Sequence, residues 1–421
     1  MAAWDFWWDR RERGGTFLPM KIGNHMRHTM TVAAAGTVAI ALLLGASPAY
    51  AAGWTIVSAP PAGQAYLLSV STDTNTDGWA AGNVETSGKW MPLIDHWNGS
   101  SWTESTPPGY SSYYSATFDG TSASSTSDAW AVGYYNTAKD DYYPTTAHWN
   151  GTSWTTVSAA QCTTGGENVF ADLTGVTDIS STDAYAIGEC VSHASQVMEQ
   201  WNGTAWSMVT LPDPDPSDPG LQQQLYGVSA DSASDVWAVG THLVPTSTGV
   251  TFEPWSVHWN GSSWTVVSMP PVPSSNSAVM SVPRAVDAIS PTNVWAVGDY
   301  GTDDSDGGTS TGTVIWHYDG TAWSIVSSPT TGTAPVLHSV TGLGTSQAWA
   351  VGYATPAGAT EPQTFSLSWN GSTWSVVSSP DEGTESMFVG AATTPGGTVN
   401  AVGWTSPSSG GYNTLAADTT G

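Results

Sequence analysis

The chain repeats one short pattern of apolar residues seven times, an apolar strand that ends in glycine. Successive copies begin 51 to 58 residues apart. A regular period of this length is typical of architectures in which every repeat is one supersecondary unit. The seven copies are Trp79–Gly82, Trp130–Gly133, Tyr185–Gly188, Trp237–Gly240, Trp295–Gly298, Trp349–Gly352 and Asn400–Gly403.

A second pattern follows the first six of these strands: an aromatic residue, then Asn-Gly or Asp-Gly, then a tryptophan. The first copy is Trp97-Asn98-Gly99 followed by Trp102. Asn-Gly between apolar strands is a strong β-hairpin signal, and we expect a tight turn with positive φ at both central residues. The other copies begin at Trp149, Trp201, Trp259, Tyr318 and Trp369.

A further apolar stretch precedes each glycine-ended strand, so each unit holds four strands, called A to D in chain order. Four-stranded units repeated radially form a β-propeller. The last unit lacks strand D, and Gly53-Trp54-Thr55-Ile56 aligns with strand D of the other units. We therefore predict an all-β fold, a seven-bladed β-propeller with four antiparallel strands per blade. The N-terminal strand closes the last blade, which leaves no exposed sheet edge there.

The repeat resembles the kelch type, the group of propellers that includes the central domain of galactose oxidase. The likeness covers residues 52–421 and rests on Gly after strand B, an aromatic residue on strand C and Trp on strand D. Kelch repeats usually end strand B with Gly-Gly, whereas this chain has Val-Gly, Ile-Gly or Ala-Gly. The chain is also similar to exported bacterial repeat proteins with a Trp-Ala-Val-Gly…His-Trp-Asn-Gly pattern. The resemblance implies a fold rather than a function.

Residues 1–51 have the pattern of an upstream extension followed by a secretory signal peptide. A basic residue, Arg27, precedes the apolar run Val32–Leu44, and small residues follow up to Ala51. This order is typical of a signal cleaved after Ala51, and the run is too short to span a bilayer. We expect a secreted, extracellular protein without membrane insertion, whose one domain is residues 52–421.

The composition is strongly acidic, with eight Lys and Arg against 35 Asp and Glu and a formal net charge of −27. Five of the eight basic residues precede residue 52. Residues 52–421 therefore retain Lys89, Lys139 and Arg284 and carry a net charge near −29. Nucleic acids and anionic membranes bind cationic surfaces, so both are disfavoured as partners. We expect a monomer.

Cys162 and Cys190 are the two cysteines of the chain. The exported setting, together with the expected position of both residues on one face of the third blade, predicts a disulfide between them. Two isolated cysteines cannot form a structural zinc site, because such a site takes four ligands.

A calcium site is the metal site that the sequence supports best. Asp73, Asn75 and Asp77 match the first half of a calcium-binding loop. Val84 stands where the bidentate acid of such a loop is expected, and Asp77 also occupies an ordinary A–B turn. Calcium and a plain turn both remain open, and no other cofactor is predicted.

The connections between strands divide into a uniform set and a variable set. In a propeller the A–B and C–D turns lie on one face, and the B–C and D–A connections lie on the other. The first set is short, whereas the second varies and includes predicted B–C loops at Tyr134–Thr146, Thr241–Pro254 and Asp299–Gly312. Variable loops on a rigid scaffold commonly carry function, so we expect the ligand site on the B–C/D–A face.

Aromatic residues concentrate on that face in the second blade, where seven of the fifteen tyrosines lie beside Asp140 and Asp141. A tyrosine combines a flat apolar face with a polar tip, which suits stacking on a sugar ring. Packing of a long loop against its neighbour is the alternative. Trp255 and Trp404 are expected in other B–C connections. The tyrosines predicted to bind ligand are Tyr113, Tyr114, Tyr134, Tyr135, Tyr142 and Tyr143, and Tyr110 completes the seven.

We interpret the protein as a non-catalytic binding propeller that recognises a glycan or an extracellular protein through this face. Two alternatives stay open, a carbohydrate-active enzyme and a structural protein-interaction scaffold. A glycosidase needs two carboxyl groups roughly 5–10 Å apart, and acids such as Asp140, Asp213 and Asp299 lie on the expected face. A sialidase is excluded because it binds its substrate carboxylate with several arginines, and Arg284 stands alone after residue 51.

Overall fold

The computed structural model describes residues 53–60, 63–138, 141–164, 167–168, 171–190, 195–217, 221–246, 249–274, 279–302, 309–329 and 331–419. The strands of these residues form seven four-stranded antiparallel sheets and one two-stranded ribbon. The sheets are the seven predicted blades. The predicted signal segment lies outside the described residues. Within them, the chain forms no helix with the length and hydrophobicity that a bilayer span requires.

The first strand, β1 (Trp54–Ile56), belongs to the last blade. Blade 1 comprises β2 (Ala65–Thr74), β3 (Asp77–Thr86), β4 (Lys89–Trp97) and β5 (Trp102–Ser105). Blade 2 comprises β6 (Ser115–Ser125), β7 (Asp128–Asn136), β8 (Tyr143–Trp149) and β9 (Trp154–Val157). The ribbon of β10 (Thr163–Thr164) and β11 (Glu167–Asn168) comes next in the chain. Blade 3 comprises β12 (Ala171–Ser180), β13 (Asp183–Cys190), β14 (Ser195–Trp201) and β15 (Trp206–Met208).

The remaining blades repeat the same order. Blade 4 comprises β16 (Gln223–Ser232), β17 (Asp235–Thr246), β18 (Gly249–Trp259) and β19 (Trp264–Ser268). Blade 5 comprises β20 (Val279–Ser290), β21 (Asn293–Thr302), β22 (Thr309–Tyr318) and β23 (Trp323–Val326). Blade 6 comprises β24 (Thr333–Gly342), β25 (Ala348–Thr355), β26 (Gln363–Trp369) and β27 (Trp374–Val377). Blade 7 comprises β28 (Glu385–Thr393), β29 (Val399–Ser406), β30 (Asn413–Thr419) and β1.

The N-terminal strand closes the ring, as predicted. β1 pairs antiparallel with β30, so that Trp54 lies opposite Thr419. The ring of Trp54 packs against Trp349 and Phe388, with centroids 5.4 and 5.3 Å away. Its indole N–H donates a hydrogen bond to Ser366 Oγ at 2.9 Å. Trp54 therefore joins blade 7 to blade 6 by both packing and hydrogen bonding.

Aromatic residues of neighbouring blades pack against each other throughout the ring. Trp79 of β3 lies 4.8 Å from Trp149 and 4.9 Å from Trp154, both of blade 2. The recurring histidine supports the same residue, because His96 stacks on Trp79 and its Nε2 lies 2.7 Å from Asp77 Oδ1. Equivalent Trp–His contacts recur at Trp130, Trp237 and Trp295. These repeated residues are scaffold.

The hairpin between strands C and D has a different turn from the one predicted. Trp97 pairs with Trp102, so the turn contains four residues rather than two. Gly99 has a φ of 91°, whereas Asn98 does not have a positive φ. Asn98 Oδ1 instead accepts hydrogen bonds from the backbone N–H groups of Ser100 and Ser101, at 3.0 and 3.1 Å. The side-chain bonds hold the turn, and the prediction of positive φ at both residues was wrong.

The B–C and D–A connections share one face, here called the loop face, and the A–B and C–D turns share the turn face. Much of what was predicted as B–C loop is strand. β17 extends to Thr246 and pairs with β18, which begins at Gly249. Alternating β-branched and aromatic residues such as Val250, Thr251 and Phe252 continue the ladder well beyond Gly240. The loop face therefore carries stiff hairpins that project from the blades.

The predicted disulfide is present. Cys162 and Cys190 are bonded, and their Cα atoms lie 6.2 Å apart. The bond links the D–A connection before blade 3 to the last residue of β13. It therefore fixes a loop-face connection to the blade.

Every strand A carries a β-bulge at the same place, and the glycine that ends each B pattern lies against it. In blade 1 the bulge falls between Leu67 and Ser69, where Leu67 pairs with Gly82. A Cβ atom on Gly82 would lie 2.0 Å from the carbonyl oxygen of Tyr66. The equivalent distance is 1.8 to 2.1 Å for all seven glycines. No side chain fits there, so the repeated glycine permits the bulge.

Candidate functional site

Three tyrosines of blade 2 form a continuous row of rings on the loop face. Tyr135 on β7 pairs with Tyr143 on β8, and their rings stack with centroids 5.3 Å apart. Tyr113, in the connection before β6, places its ring 4.3 Å from Tyr135. All three side chains are partly exposed. The row crosses the blade from strand A to strand C.

A second tyrosine pair occupies the other side of the same hairpin. Tyr134 and Tyr142 pack edge to face with centroids 5.3 Å apart, and Tyr134 is buried. Side chains alternate along a strand, so this pair points away from Tyr135 and Tyr143. Tyr114, in the connection before β6, is 46% exposed. The predicted tyrosine cluster is therefore divided between two sides of blade 2.

The acidic residues predicted beside these tyrosines do not form a pair within the described residues. Asp141 directs its carboxylate back into its own hairpin. Its Oδ1 accepts the backbone N–H groups of Thr137 and Ala138 at 3.0 and 2.9 Å. Asp140 lies outside the described residues. Asp141 therefore shapes the tip of the hairpin.

Three further rings, on blades 7 and 1, form a second group on the loop face. Tyr66 on β2 lies 5.2 Å from Trp90 and 4.8 Å from Tyr412, and all three are partly exposed. Lys89, beside Trp90, donates a hydrogen bond from Nζ to the carbonyl oxygen of Tyr113 at 3.0 Å and so bridges blades 1 and 2. We call the six rings the aromatic arc, and its members are Tyr412, Tyr66, Trp90, Tyr113, Tyr135 and Tyr143.

Two phenols of the arc, those of Tyr66 and Tyr135, are held in the neutral form. Burial raises the pKa of Tyr66, and the neighbouring Tyr412 raises it further. Burial also raises the pKa of Tyr135, with smaller contributions from Tyr113 and Tyr143. A protonated phenol both donates and accepts a hydrogen bond. The arc therefore combines apolar ring surface with uncharged hydroxyl groups.

Trp255 and Trp404 do not lie in connections, as was expected of them. Trp255 belongs to β18 and Trp404 to β29, and they are 1% and 2% exposed. The indole N–H of Trp255 donates to the carbonyl oxygen of Gln224 at 3.2 Å, and Trp404 packs against Tyr66 and Tyr412. Trp404 thus packs behind two residues of the arc. The rings of Trp255 and Trp404 are both too buried to contact a ligand.

The three residues of the predicted calcium loop lie at the A–B turn of blade 1, on the turn face. Asn75 Oδ1 accepts the N–H of Gly396 at 2.7 Å, and Asp77 Oδ1 is bonded to His96. Burial and the adjacent Asp77 raise the pKa of Asp73 to about 6. Among the residues that the structure describes, no three His, Cys, Asp or Glu side chains are grouped as metal ligands. Asn75 thus connects blades 1 and 7, and Asp77 connects β3 to β4 within blade 1.

A cavity of about 370 Å³ runs along the centre of the ring and is lined by strand A of every blade. The seven bulges each direct one extra residue toward it, in the half of strand A nearer the loop face. These residues are partly or fully exposed, although the residue before each is buried. We call them the bulge ring, and they are Leu68, Asp119, Thr174, Tyr226, Arg284, His338 and Val389.

The polar members of the bulge ring are anchored by their neighbours. Thr117 Oγ1 donates to Asp119 Oδ1 at 2.8 Å. Tyr226 donates its hydroxyl to Gln224 Oε1. Arg284 forms an ion pair with Asp299 through Nε, and each of these two side chains is 10% exposed. Fixed positions of this kind suit a binding site, because little order is lost when a ligand enters.

His338 completes the polar part of the ring as a neutral group. Burial lowers the pKa of His338 to about 3, and the charge of Arg284 contributes. A neutral imidazole has one donor and one acceptor nitrogen. His338 is therefore uncharged at ordinary pH.

The bulge ring was not predicted from the sequence, although the repeat contains a signal for it. In each unit one variable residue stands between a buried apolar residue or proline and a small residue, as in Phe118-Asp119-Gly120. The small residue is needed because neighbouring blades approach closely there. A Cβ atom on Gly120 would lie 2.9 Å from Gly175 Cα of the next blade. Aligning the seven strands A on this small residue would have isolated the variable position.

No protein-family model matches the chain, and no curated protein matches it. Solved structures match as folds. A glycoside hydrolase family 74 xyloglucanase from Xanthomonas campestris is 12% identical, with a TM-score of 0.51, over 87% of this chain and 53% of that one. YCF48 bound to D1 peptide is 12% identical, with a TM-score of 0.49, over 89% of this chain and 98% of that one. The SapL1 lectin in complex with alpha methyl fucoside is 12% identical, with a TM-score of 0.39, over 78% and 95%. At such identities the likeness establishes the propeller fold alone.

Proposed function

We propose that this protein is an exported, non-catalytic carbohydrate-binding propeller that holds a glycan chain along the aromatic arc. The observation that carries the proposal is the arc itself. Six partly exposed rings from three adjacent blades lie on the loop face in two groups of three. Lys89 of blade 1 donates a hydrogen bond to the backbone of Tyr113 in the second group.

The chemistry of the arc suits a sugar chain. Soluble proteins seldom leave a row of aromatic rings open to water without a binding role. The rings offer apolar surface to the C–H face of a sugar, and the phenol edges offer donors and acceptors to its hydroxyl groups. A glycan chain is extended, as the arc is.

Charge favours a neutral glycan. Residues 52–421 carry a net charge near −29, so an anionic chain would be repelled over the whole surface. The arc itself contains no charged member. The proposed ligand is therefore an uncharged polysaccharide or oligosaccharide.

The test is a binding screen of the mature protein against neutral polysaccharides by affinity electrophoresis. We expect retardation by at least one glucan, xylan, mannan or chitin oligomer, and a marked loss of retardation for Trp90→Ala. Tyr142→Ala is the matched control, because it removes an aromatic ring from the same face but not from the arc. Release of sugars during the screen would favour a glycosidase, and retention of protein partners alone would favour a protein-binding scaffold.

A further inference from the structure

At the bulge ring the seven blades have the same backbone conformation but different side chains. The residue before each bulge is apolar or proline, and the residue after it is Gly, Ala or Ser. The bulged residues themselves are two aliphatic, one acidic, one basic, one hydroxyl, one phenol and one imidazole side chain. Folding requires the bulge but does not fix the identity of its side chain.

A contribution to stability does not explain why the bulge ring contains the ion pair of Arg284 and Asp299. Arg284 is the one arginine in residues 52–421. It lies half-way along β20, the strand of blade 5 that lines the central cavity, rather than on the outer surface. Its partner Asp299 and its own side chain are each 10% exposed. A buried ion pair seldom stabilises a fold relative to apolar residues, since desolvation offsets the attraction. A binding role accounts for the pair better.

The bulge ring has an apolar sector and a polar sector. Leu68 and Val389, from blades 1 and 7, are aliphatic. Blades 2 to 6 supply donors and acceptors, among them the carboxylate of Asp119 and the hydroxyl of Thr174. A sugar ring presents this combination, an apolar C–H face and a set of hydroxyl groups that each donate and accept. The cavity of about 370 Å³ lies in the lower part of the range of small-molecule sites, roughly 300–1,000 Å³.

Charge disfavours an anionic ligand in the bulge ring. Asp299 balances the guanidinium of Arg284, so the ring offers no net positive charge to an anion. The carboxylate of Asp119 adds to the repulsion of an anion. The donors and acceptors remain, and they match hydroxyl groups.

The ring adjoins the aromatic arc. Tyr66 of the arc precedes Leu68 of the ring by two residues on β2, and blade 7 contributes both Tyr412 and Val389. The apolar sector of the ring therefore lies next to the inner end of the arc. This sector is the point at which a chain held on the arc would enter the cavity.

We propose that the loop-face mouth of the central cavity binds one neutral sugar unit, the end of the glycan chain that lies along the arc. The part of this inference that concerns the rest of the glycan, beyond that one sugar unit, rests on the proposed function. The protein would then recognise chain ends as well as chain length.

The experiment uses the methyl glycosides of glucose, galactose, mannose, xylose and fucose as probes, with binding followed by saturation-transfer NMR and calorimetry. Thr174→Val and Tyr226→Phe each remove one hydroxyl group from the bulge ring and change the shape of the side chain little. We expect about a three- to ten-fold loss of affinity for the bound glycoside from either change. Thr103→Val, on the outer strand β5, is the matched control and should bind as the wild type does.

A double variant, Arg284→Met with Asp299→Leu, removes the ion pair without leaving a buried charge, and it should weaken binding further while the fold is retained. The outcomes separate the two proposals. If the wild type binds a polysaccharide through Trp90 but no methyl glycoside, or if Thr174→Val and Tyr226→Phe bind unchanged, the mouth proposal is overturned and the arc stands. If no polysaccharide binds but a glycoside does, and Thr174→Val weakens it, the arc fails and the mouth is supported.

Discussion

Tyr135 and Tyr143 lie directly opposite each other on β7 and β8, with ring centroids 5.3 Å apart and an angle of 23° between the ring planes. A cross-strand aromatic pair stabilises a hairpin by about 0.2–1 kcal/mol. The same pair therefore holds the projecting hairpin of blade 2 in shape and forms part of the surface proposed to bind a glycan. The contribution of the pair to stability is expected to be smaller than its contribution to binding. Mutation can therefore separate the two roles.

Loss of Trp54 should destabilise the whole ring. The side chain packs on Phe388 within blade 7 and joins that blade to Trp349 and Ser366 of blade 6. We expect Trp54→Ala to lower the free energy of unfolding by roughly 3 kcal/mol, as is usual when a large aromatic side chain is removed. Ile56→Ala is the control on the same strand, because Ile56 is 41% exposed and should change stability little. Chemical denaturation measures both, and equal effects of the two changes would argue against closure by Trp54.

Reduction of the Cys162–Cys190 bond should lower stability without unfolding the protein. The bond closes a loop with a sequence separation of 28 residues. The chain-entropy model gives a loss of about 3–4 kcal/mol for a loop of this length. Thermal unfolding with and without a reducing agent, together with a thiol assay of the native protein, tests this. A free thiol in the native protein would show that the bond does not form.

Stability should rise as the pH falls toward 5. Burial raises the pKa of Asp95 to about 8, with Glu104 contributing, and burial raises that of Glu199 to about 7. Unfolded carboxyl groups titrate near 4, at about 3.9 for Asp and 4.3 for Glu. Folding therefore favours the protonated forms. Their contribution is complete below about pH 4 and is lost as the pH rises through 7 and 8. The Tm should thus be higher at pH 5 than at pH 8.

Asp95 provides the specific test of this pH dependence. It is fully buried, and neither of its carboxyl oxygens has a hydrogen-bond partner in the structure. Leu367 fills the corresponding position of blade 6 and is equally buried. Asp95→Leu should therefore raise stability at pH 8, by a gain on the order of a few kcal/mol, and flatten the pH profile. The exposed Glu361→Gln is the control, and an unchanged profile for Asp95→Leu would contradict this explanation.

The sequence predicted the blades well because the same residues recur for a physical reason in each one. Tryptophans pack between blades, as Trp79 does on Trp149, and Gly82 leaves room for the bulge of strand A. Seven copies of such a pattern determine the blade count and the closure by Trp54. The disulfide followed from having two cysteines on one face.

The candidate site was predicted only in part, because its residues belong to no repeat. Tyr135 and Tyr143 stood out through composition alone. Tyr66 and Tyr412 come together because closure of the ring brings the two ends of the propeller side by side, which no local pattern reveals. Trp255 was assigned to a loop because the long hairpin of blade 4 was not recognised as strand, although Thr251 and Phe252 favour one.

The most direct test of the proposed function compares the affinities of three proteins for the polysaccharide that the wild type binds most tightly in the screen. They are the wild type, the double variant Tyr135→Ala/Tyr143→Ala and the control Tyr142→Ala. An aromatic contact contributes about 0.5–1.5 kcal/mol beyond the area buried. We predict that Kd rises on the order of ten-fold or more for the double variant, with a small fall in Tm, and stays unchanged for Tyr142→Ala. A double variant that binds as tightly as the wild type, or equal losses in the two variants, would contradict binding along the aromatic arc.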